Sequence, residues 1–135
     1  MTRKEFSMMT CSSVDSDRTV VYIEFKHAVR IDLNTAREIV ANRLDFCNYE
    51  KHFIVADVSK VREVTSDARK FLQLPDGGMK NILGAALVAS NPVAALIANI
   101  FIKTPKDFPA KFFSNKKDAY HWVAAKIGRP VSETL

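Results

Sequence analysis

The stretch HFIVADVSKVREVTSDARKF, residues 52–71, decides the fold. Its first part, FIVADV (53–58), is a nearly continuous apolar run that ends in an aspartate and a valine, as expected of a central strand covered on both faces. A helix is expected to begin near Thr65 or Ser66, because their hydroxyl groups can accept hydrogen bonds from the first turn and Asp67 suits the positive end of the helix dipole. The stretch therefore predicts a buried strand followed by a helix.

A second strand of the same kind follows in ILGAALVA (82–89), and the turn PDGG (75–78) ends the helix between the two strands. Strands joined by a helix favour a parallel pair, because a parallel pair needs a crossover of about a dozen residues or more. The centre of the chain therefore predicts two parallel, doubly covered strands.

The flanking segments extend this pattern in both directions. Two strands at 4–11 and 18–25, joined by the Ser/Asp turn SSVDSD (12–17), precede a helix at 34–47. After the central strands come a helix at 92–103 capped by Asn91, an edge strand at 108–114, and a helix capped by Ser114. Its inward positions are Ala119, Trp122, Val123 and Ile127. The element order is ββαβαβαβα, and residues 1–135 are expected to form a single α/β domain with a mixed, mainly parallel five-stranded sheet and helices packed mainly on one face.

The composition excludes several classes of protein. The chain has 135 residues, 47% of them apolar and 26% charged, which is ordinary globular usage and argues against disorder. The formal charge is +5, yet no RNA-binding aromatic pattern, recognition helix or zinc finger accompanies it, so nucleic-acid binding is not expected. No signal-peptide core is visible, and the apolar run at 91–103 is too short to span a membrane. We expect a cytoplasmic protein with no transmembrane segment.

The sequence contains no pattern typical of an enzyme or a metal site. Cys11 and Cys47 lie far apart, and the three histidines His27, His52 and His121 are too dispersed for a ligand set to be inferred from their spacing. The only glycine pair lies in the PDGG turn and does not match a phosphate-binding loop. We therefore expect no metal, no cofactor and no catalytic residues.

The segment DVSKVREVTSDARK (57–70) resembles the switch region of the STAS domain, the fold of bacterial anti-sigma-factor antagonists. The pattern in that family is D-[LV]-S-x-V-x-x-[IVM]-D-S-S-G-L, and its second paired serine accepts a phosphate at a helix N-terminus. The matching residues here are Asp57, Val58, Ser59, Val61 and Val64. At the switch itself, Thr65 stands in place of the acid and Ala68 in place of the glycine. Ser66 occupies the position of the first serine, and Asp67 occupies the position of the phosphoserine.

This resemblance implies a non-enzymatic regulatory or protein-interaction module without a functional phosphoacceptor serine. Its partner would be a protein, for example in a regulatory kinase or sigma-factor system. The candidate partner or switch loop consists of Ser59, Thr65, Ser66 and Asp67. The alternative is that Thr65 or Ser66 only caps a helix and that Asp67 only complements its dipole.

A second resemblance covers residues 50–125 and is carried by A-R-x-F (68–71), SNPVAALIANIFIK (90–103) and FPAKFFSNKKDAYHW (108–122). These patterns resemble small bacterial STAS/CRAL-TRIO-like proteins of a single domain. The CRAL-TRIO-like label implies a second hypothesis, a carrier of a small apolar ligand or lipid.

The helix at 92–103 is apolar nearly all round, so it needs cover on most sides. Packing within the domain, a second subunit, a bound apolar molecule or a membrane surface could each supply that cover. The ligand pocket would be walled by this helix and by Phe108, Phe112 and Phe113. Alternatively, a homodimer would bury the helix, with Ile97, Phe101 and Trp122 near the centre of the interface.

Overall fold

The structure, a computed structural model, describes residues 2–13 and 18–130. The strands are Thr2–Glu5 (β1), Met9–Ser13 (β2), Val20–Phe25 (β3), Val29–Ile31 (β4), His52–Asp57 (β5), Val61–Val64 (β6), Ile82–Val88 (β7) and Ala110–Phe113 (β8). The helices are Leu33–Phe46 (α1), Ser66–Leu72 (α2), Pro92–Lys103 (α3) and Lys116–Ile127 (α4). The predicted α/β class is confirmed.

Six strands form the main sheet, in the order β1-β2-β3-β5-β7-β8. The pairs β1–β2 and β2–β3 are antiparallel, whereas β3, β5, β7 and β8 run parallel to their neighbours. Each parallel connection moves one place in the same direction across the sheet. Because such crossovers are right-handed, α1, α2 and α3 lie on the same face.

The sheet has six strands instead of the predicted five because the predicted strand at 4–11 is wrong. β1 and β2 form a hairpin instead, and the Phe6 amide donates to the carbonyl of Met9 at 2.8 Å. The stretch EFSMM (5–9) at this turn contains no Gly, Pro, Asn or Asp, so no turn signal was visible in the sequence. Ser12 and Ser13 of the predicted 12–17 turn belong to β2, and residues 14–17 lie outside the described residues.

The short strands β4 and β6 pair in parallel as a separate two-stranded sheet, which the sequence did not predict. Strands of three or four residues are too short to show an alternating pattern. The pairing holds the segment between β5 and α2 in place, since the Val29 amide donates to Lys60 O at 3.0 Å and the Thr65 amide to Ile31 O at 2.9 Å.

Alternation along β3 sends its residues to two separate cores. Val21, Ile23 and Phe25 join the core under α1, α2 and α3, while Val20 and Tyr22 join the core under α4. The helices therefore lie mainly on one face, as expected, and α4 is the one that covers the other face. This helix follows the last strand and is not a crossover, so it is free to cover the second apolar face of β5 and β7.

The helix starts are set by side-chain caps. Asn91 accepts from the Ala94 amide at 2.9 Å, which confirms the predicted start of α3. The predicted Ser114 cap of α4 is wrong by one residue, because the Asn115 side chain accepts from the Asp118 amide at 2.9 Å. Within residues 2–13 and 18–130, no helix combines the length and the apolar character needed to cross a bilayer.

Candidate functional site

A cavity of about 150 Å³ lies between the sheet and the three crossover helices. Its floor is formed by residues of β5 and β7, namely Ile54, Ala56, Ala85 and Leu87. Residues of α1 and α3 form its walls, among them Ile39, Val40, Ile97 and Phe101. The cavity is therefore part of the larger hydrophobic core and is almost entirely apolar.

The cavity follows from small side chains at the centre of the sheet. Ala56 and Ala85 lie on neighbouring strands, where larger residues would fill the space under the helices. α3 packs through its buried alanines Ala94 and Ala98, which are fully inaccessible to solvent. At the helix ends, Gln73 Nε2 donates to Thr104 Oγ1 at 2.8 Å and so ties the end of α2 to the end of α3.

One wall of the cavity carries a buried arginine. Arg43 of α1 is only 3% exposed, and its Nη1 donates to His52 Nε2 and to Lys80 O, both at 2.8 Å. Its Nη2 donates to Gly78 O at 3.1 Å, and it lines the cavity together with apolar neighbours. The guanidinium therefore connects α1 to the start of β5 and to the loop before β7.

Burial sets the charge states of this pair. Desolvation lowers the pKa of His52 to about 4, with the positive charge of Arg43 acting in the same direction. Desolvation also lowers the pKa of Arg43 to about 10, which still leaves the guanidinium charged at neutral pH. At pH 7 the pair is a neutral imidazole beside a buried cation.

A surface cleft of about 510 Å³ adjoins the cavity at the amino ends of β5, β7 and β8. The cleft and the cavity share four residues, Met79, Ile82, Lys106 and Phe108. Lys106 Nζ donates to Ile102 O at 2.9 Å and to Thr104 O, so it is held at the end of α3. These four residues form the boundary between the cavity and solvent.

The structure separates the predicted apolar residues into two groups. Ile97, Phe101 and Phe108 line the cavity. Phe112 lies on the same face but packs against the alanine cluster of α3. Phe113, which the ligand hypothesis placed in the pocket, instead packs against Trp122 under α4, with ring centroids 5.9 Å apart. Alternation along β8 places Phe112 and Phe113 on opposite faces.

The predicted switch loop is held by local hydrogen bonds. Thr65 caps α2, as predicted, and its Oγ1 donates to Asp67 Oδ1 at 2.5 Å. This bond and the Ala68 amide lower the pKa of Asp67, while Ser66 at the first helical position is exposed. Ser59 is bound elsewhere: its Oγ lies 2.9 Å from Ser90 Oγ, across the end of β7. The loop therefore brings Thr65 and Asp67 together and directs Ser59 toward α3.

The family model for DUF7793, a domain of unknown function, matches residues 14–126. The chain belongs to the DUF7793 family. No curated protein and no solved structure matches the chain.

In this DUF7793 domain, sequence reasoning missed the polar wall of the cavity. Arg43 lies three positions after Val40 and seven after Ala36, on the apolar stripe of α1, so a charged residue on the buried side was a visible signal. His52 gave no such signal, because its partner is nine residues away and meets it only in the folded chain. In the described part of the chain, no three His, Cys, Asp or Glu side chains are grouped as metal ligands. The expected absence of a metal stays a prediction.

Proposed function

We propose that this DUF7793 domain is a non-enzymatic binding module that takes a small apolar ligand in the cavity between its sheet and α1, α2 and α3. The observation that carries the proposal is the cavity itself, about 150 Å³ in volume and lined almost entirely by apolar side chains. Small-molecule sites are typically concave and mostly apolar, with a few polar groups that orient the ligand. Arg43 and Lys106 are such polar groups.

The volume limits the size of the ligand. An apolar cavity of about 150 Å³ in another protein holds a benzene molecule, whereas drug-sized ligands occupy roughly 300–1,000 Å³. The cavity therefore suits a single ring or a short branched chain. A lipid with two acyl chains would need more space, so the lipid-carrier hypothesis narrows to a small apolar molecule.

The energetics favour a bound ligand. At about 24 cal/mol per Å³, an unfilled cavity of this size costs roughly 3–4 kcal/mol of folding stability. A ligand that fills the space restores the lost van der Waals contacts, and by linkage it stabilises the folded state.

Toluene is a suitable first probe because it is apolar and has one ring. We expect toluene to raise the unfolding temperature and to shift the NMR signals of methyl groups around the cavity, such as those of Ile54 and Ile97. The variant Ala85→Leu places a larger side chain on the cavity floor and is expected to abolish both effects.

The matched control is Ala125→Leu, the same change at an exposed position of α4. It should respond to toluene as the wild type does. The proposal fails if the wild type shows no response near the solubility limit of toluene, or if folded Ala85→Leu responds unchanged.

The second candidate function is the STAS-like regulatory interaction module, with a protein partner at the 59–67 loop. The sequence match from Asp57 to Val64 supports it, as does the exposure of Ser66 and Asp67 on the surface of the loop. The partner would belong to a regulatory kinase or sigma-factor system, as the resemblance implies.

Affinity capture from the native host, followed by quantitative mass spectrometry, tests this second candidate. Asp67→Lys and Ser66→Glu should no longer recover a partner that the wild type recovers. The first variant reverses a charge at the loop, and the second adds a negative charge there. Asp76→Lys is the control, since Asp76 is exposed but lies in the turn after α2. Equal recovery by all four proteins would contradict the loop as the partner surface.

A further inference from the structure

The charged side chains on the cavity wall are both cationic. Arg43 and Lys106 line the cavity, and within residues 2–13 and 18–130 no acidic side chain lines it with them. A purely hydrocarbon ligand has no group that could pair with these charges. The wall therefore points to a ligand that also carries a negative charge.

Arg43 is a buried cation without an anionic partner in the described residues. Its three hydrogen bonds go to neutral acceptors, which are the imidazole of His52 and the carbonyl groups of Gly78 and Lys80. The ion pairs within residues 2–13 and 18–130 are Arg3–Glu5, Lys4–Asp45 and Arg30–Glu63. Burying a charge is unfavourable unless an opposite charge compensates it. A bound anion would supply that compensation.

The donor groups of Arg43 suit a carboxylate. A guanidinium has five N–H donors, and the three hydrogen bonds use two on Nη1 and one on Nη2. These three bonds do not use the Nε–H or the second Nη2–H. Two donors on neighbouring nitrogens match the two oxygens of a carboxylate, which arginine often binds in a bidentate manner.

Lys106 stands where an anion would enter. It is one of the four residues shared by the cavity and the outer cleft, and its ammonium group is fixed by Ile102 O and Thr104 O. A fixed positive charge at the boundary attracts anions toward the cavity. The buried guanidinium is then the charge that holds the anion once its hydrocarbon part is inside.

We propose that the cavity binds the anion of a small apolar carboxylic acid, with its hydrocarbon part on the apolar floor and its carboxylate on Arg43. This inference rests on the proposed function, because it requires the cavity to accept a ligand at all. The cavity volume of about 150 Å³ restricts the acid to one ring or a short branched chain.

Three probes of nearly the same shape and different charge test the proposal: benzoate, benzamide and benzamidine. Calorimetric titration of the wild type at pH 7.5 should show benzoate binding at least about tenfold more tightly than benzamide, since hydrogen bonds to charged groups contribute about 1.5–3 kcal/mol. Benzamidine should bind the weakest, because it would place a second cation beside the guanidinium. Equal affinities for benzoate and benzamide would overturn the proposal.

Variants assign the preference to a residue. Arg43→Met should remove the preference for benzoate over benzamide. If the methionine variant does not fold, Arg43→Lys takes its place and should bind benzoate at least about fivefold more weakly than the wild type does. Arg37→Met is the matched control: it is the same change at an exposed position of α1 that does not line the cavity, and it should keep the full preference. Retention of the full preference by a folded Arg43 variant would overturn the role of Arg43.

The outcome for toluene separates the two proposals. If toluene binds but benzoate binds no better than benzamide, the apolar site stands and the carboxylate inference fails. If neither toluene nor benzoate binds, the proposed function itself fails, and the carboxylate inference fails with it.

Discussion

The hydrogen bond between Arg43 and His52 fixes the protonation state of the histidine. A guanidinium has only donors, so His52 Nε2, 2.8 Å from Arg43 Nη1, must accept. The proton of the neutral ring then lies on Nδ1, which donates to Glu50 O at 2.9 Å. A second ring proton would break the bond to Arg43 and place two positive charges side by side.

This pair predicts that stability falls in mild acid. The pKa of His52 is about 4 in the folded protein and about 6.5 in the unfolded chain. Because the unfolded chain binds the proton more readily, stability is full above pH 6.5 and is lost as the pH falls from 6.5 to 4. The free energy of unfolding should fall by on the order of 3 kcal/mol over this range. Urea unfolding at pH 7.5, 6, 5 and 4.5 measures the change.

The control for this prediction is His52→Gln, which removes the titrating group and keeps an oxygen that can accept from Arg43. It should be less stable than the wild type at pH 7.5 but lose much less stability between pH 6.5 and 4.5. Parallel pH curves for the two proteins would contradict the assignment to His52.

Two tyrosines in the core under α4 differ in whether the hydroxyl group has a hydrogen-bond partner. Tyr120 is fully buried and its hydroxyl has no hydrogen-bond partner in the part of the chain that the structure describes, whereas the Tyr22 hydroxyl donates to Glu24 Oε2 at 3.3 Å. Leaving a buried hydroxyl unpaired costs about 1–3 kcal/mol. Tyr120→Phe is therefore expected to raise the free energy of unfolding by about 1 kcal/mol.

Tyr22→Phe is the matched control and should leave stability unchanged or lower it slightly, because it removes a hydrogen bond. Chemical denaturation of both variants gives the comparison. A clear loss of stability in Tyr120→Phe alone would show that its hydroxyl is paired.

At the scale of elements, α3 presents an apolar stripe to solvent. Val93, Leu96 and Ile100 are 48%, 69% and 38% exposed. Ile97 and Phe101, predicted at the centre of a dimer interface, instead line the cavity, and Trp122 belongs to the core under α4. These three residues, spaced three and four positions apart, therefore form an apolar stripe of α3 that the domain leaves uncovered.

We expect a homodimer that buries this stripe about a two-fold axis, because a two-fold contact lets one apolar patch cover its own copy. Leu96→Asp should shift the protein to a monomer, since it places a charge in the middle of the patch. Sedimentation velocity measures the effect at tens of micromolar protein, because a micromolar interface is largely occupied at that concentration.

Leu74→Asp is the control for the dimer, because Leu74 is 48% exposed but follows α2. It should sediment as the wild type does. A wild type that is already monomeric at this concentration would contradict the predicted dimer.

At the scale of the whole molecule, the two faces of the sheet are packed differently. The face under α4 contains Tyr120 and Val123, both fully buried, whereas the opposite face contains the cavity. Ala85 and Ala86 are adjacent in β7 but point to opposite faces, Ala85 to the cavity and Ala86 to the α4 core. The same substitution at both positions therefore compares the two faces directly.

Ala85→Val is expected to be neutral or to raise the free energy of unfolding by up to about 1 kcal/mol, because its added methyl groups enter empty space. Ala86→Val should lower it by about 1–3 kcal/mol, because it overpacks a filled core. Urea unfolding of the two variants measures the difference. Equal losses would contradict the presence of space next to Ala85.

The sequence alone determined the elements whose signals are local. α3 was predicted with its observed bounds, and β5 and β7 within one residue at their ends, because a continuous apolar run, a capping asparagine and a following proline act over a few neighbouring residues. The Thr65 cap was predicted for the same reason. Where the local signal was missing, as in the β1–β2 hairpin and the short strands β4 and β6, the prediction failed.

Only the tertiary structure decided which faces meet. The cavity, the hydrogen bonds from Arg43 to His52 and Lys80, and the division of Phe112 from Phe113 depend on residues from different elements. Local patterns specify that an element has an apolar side, but the handedness of the crossovers and the order of the strands determine what that side contacts. The site is a property of those long-range contacts, so the sequence supplied its residues and the fold brought them together.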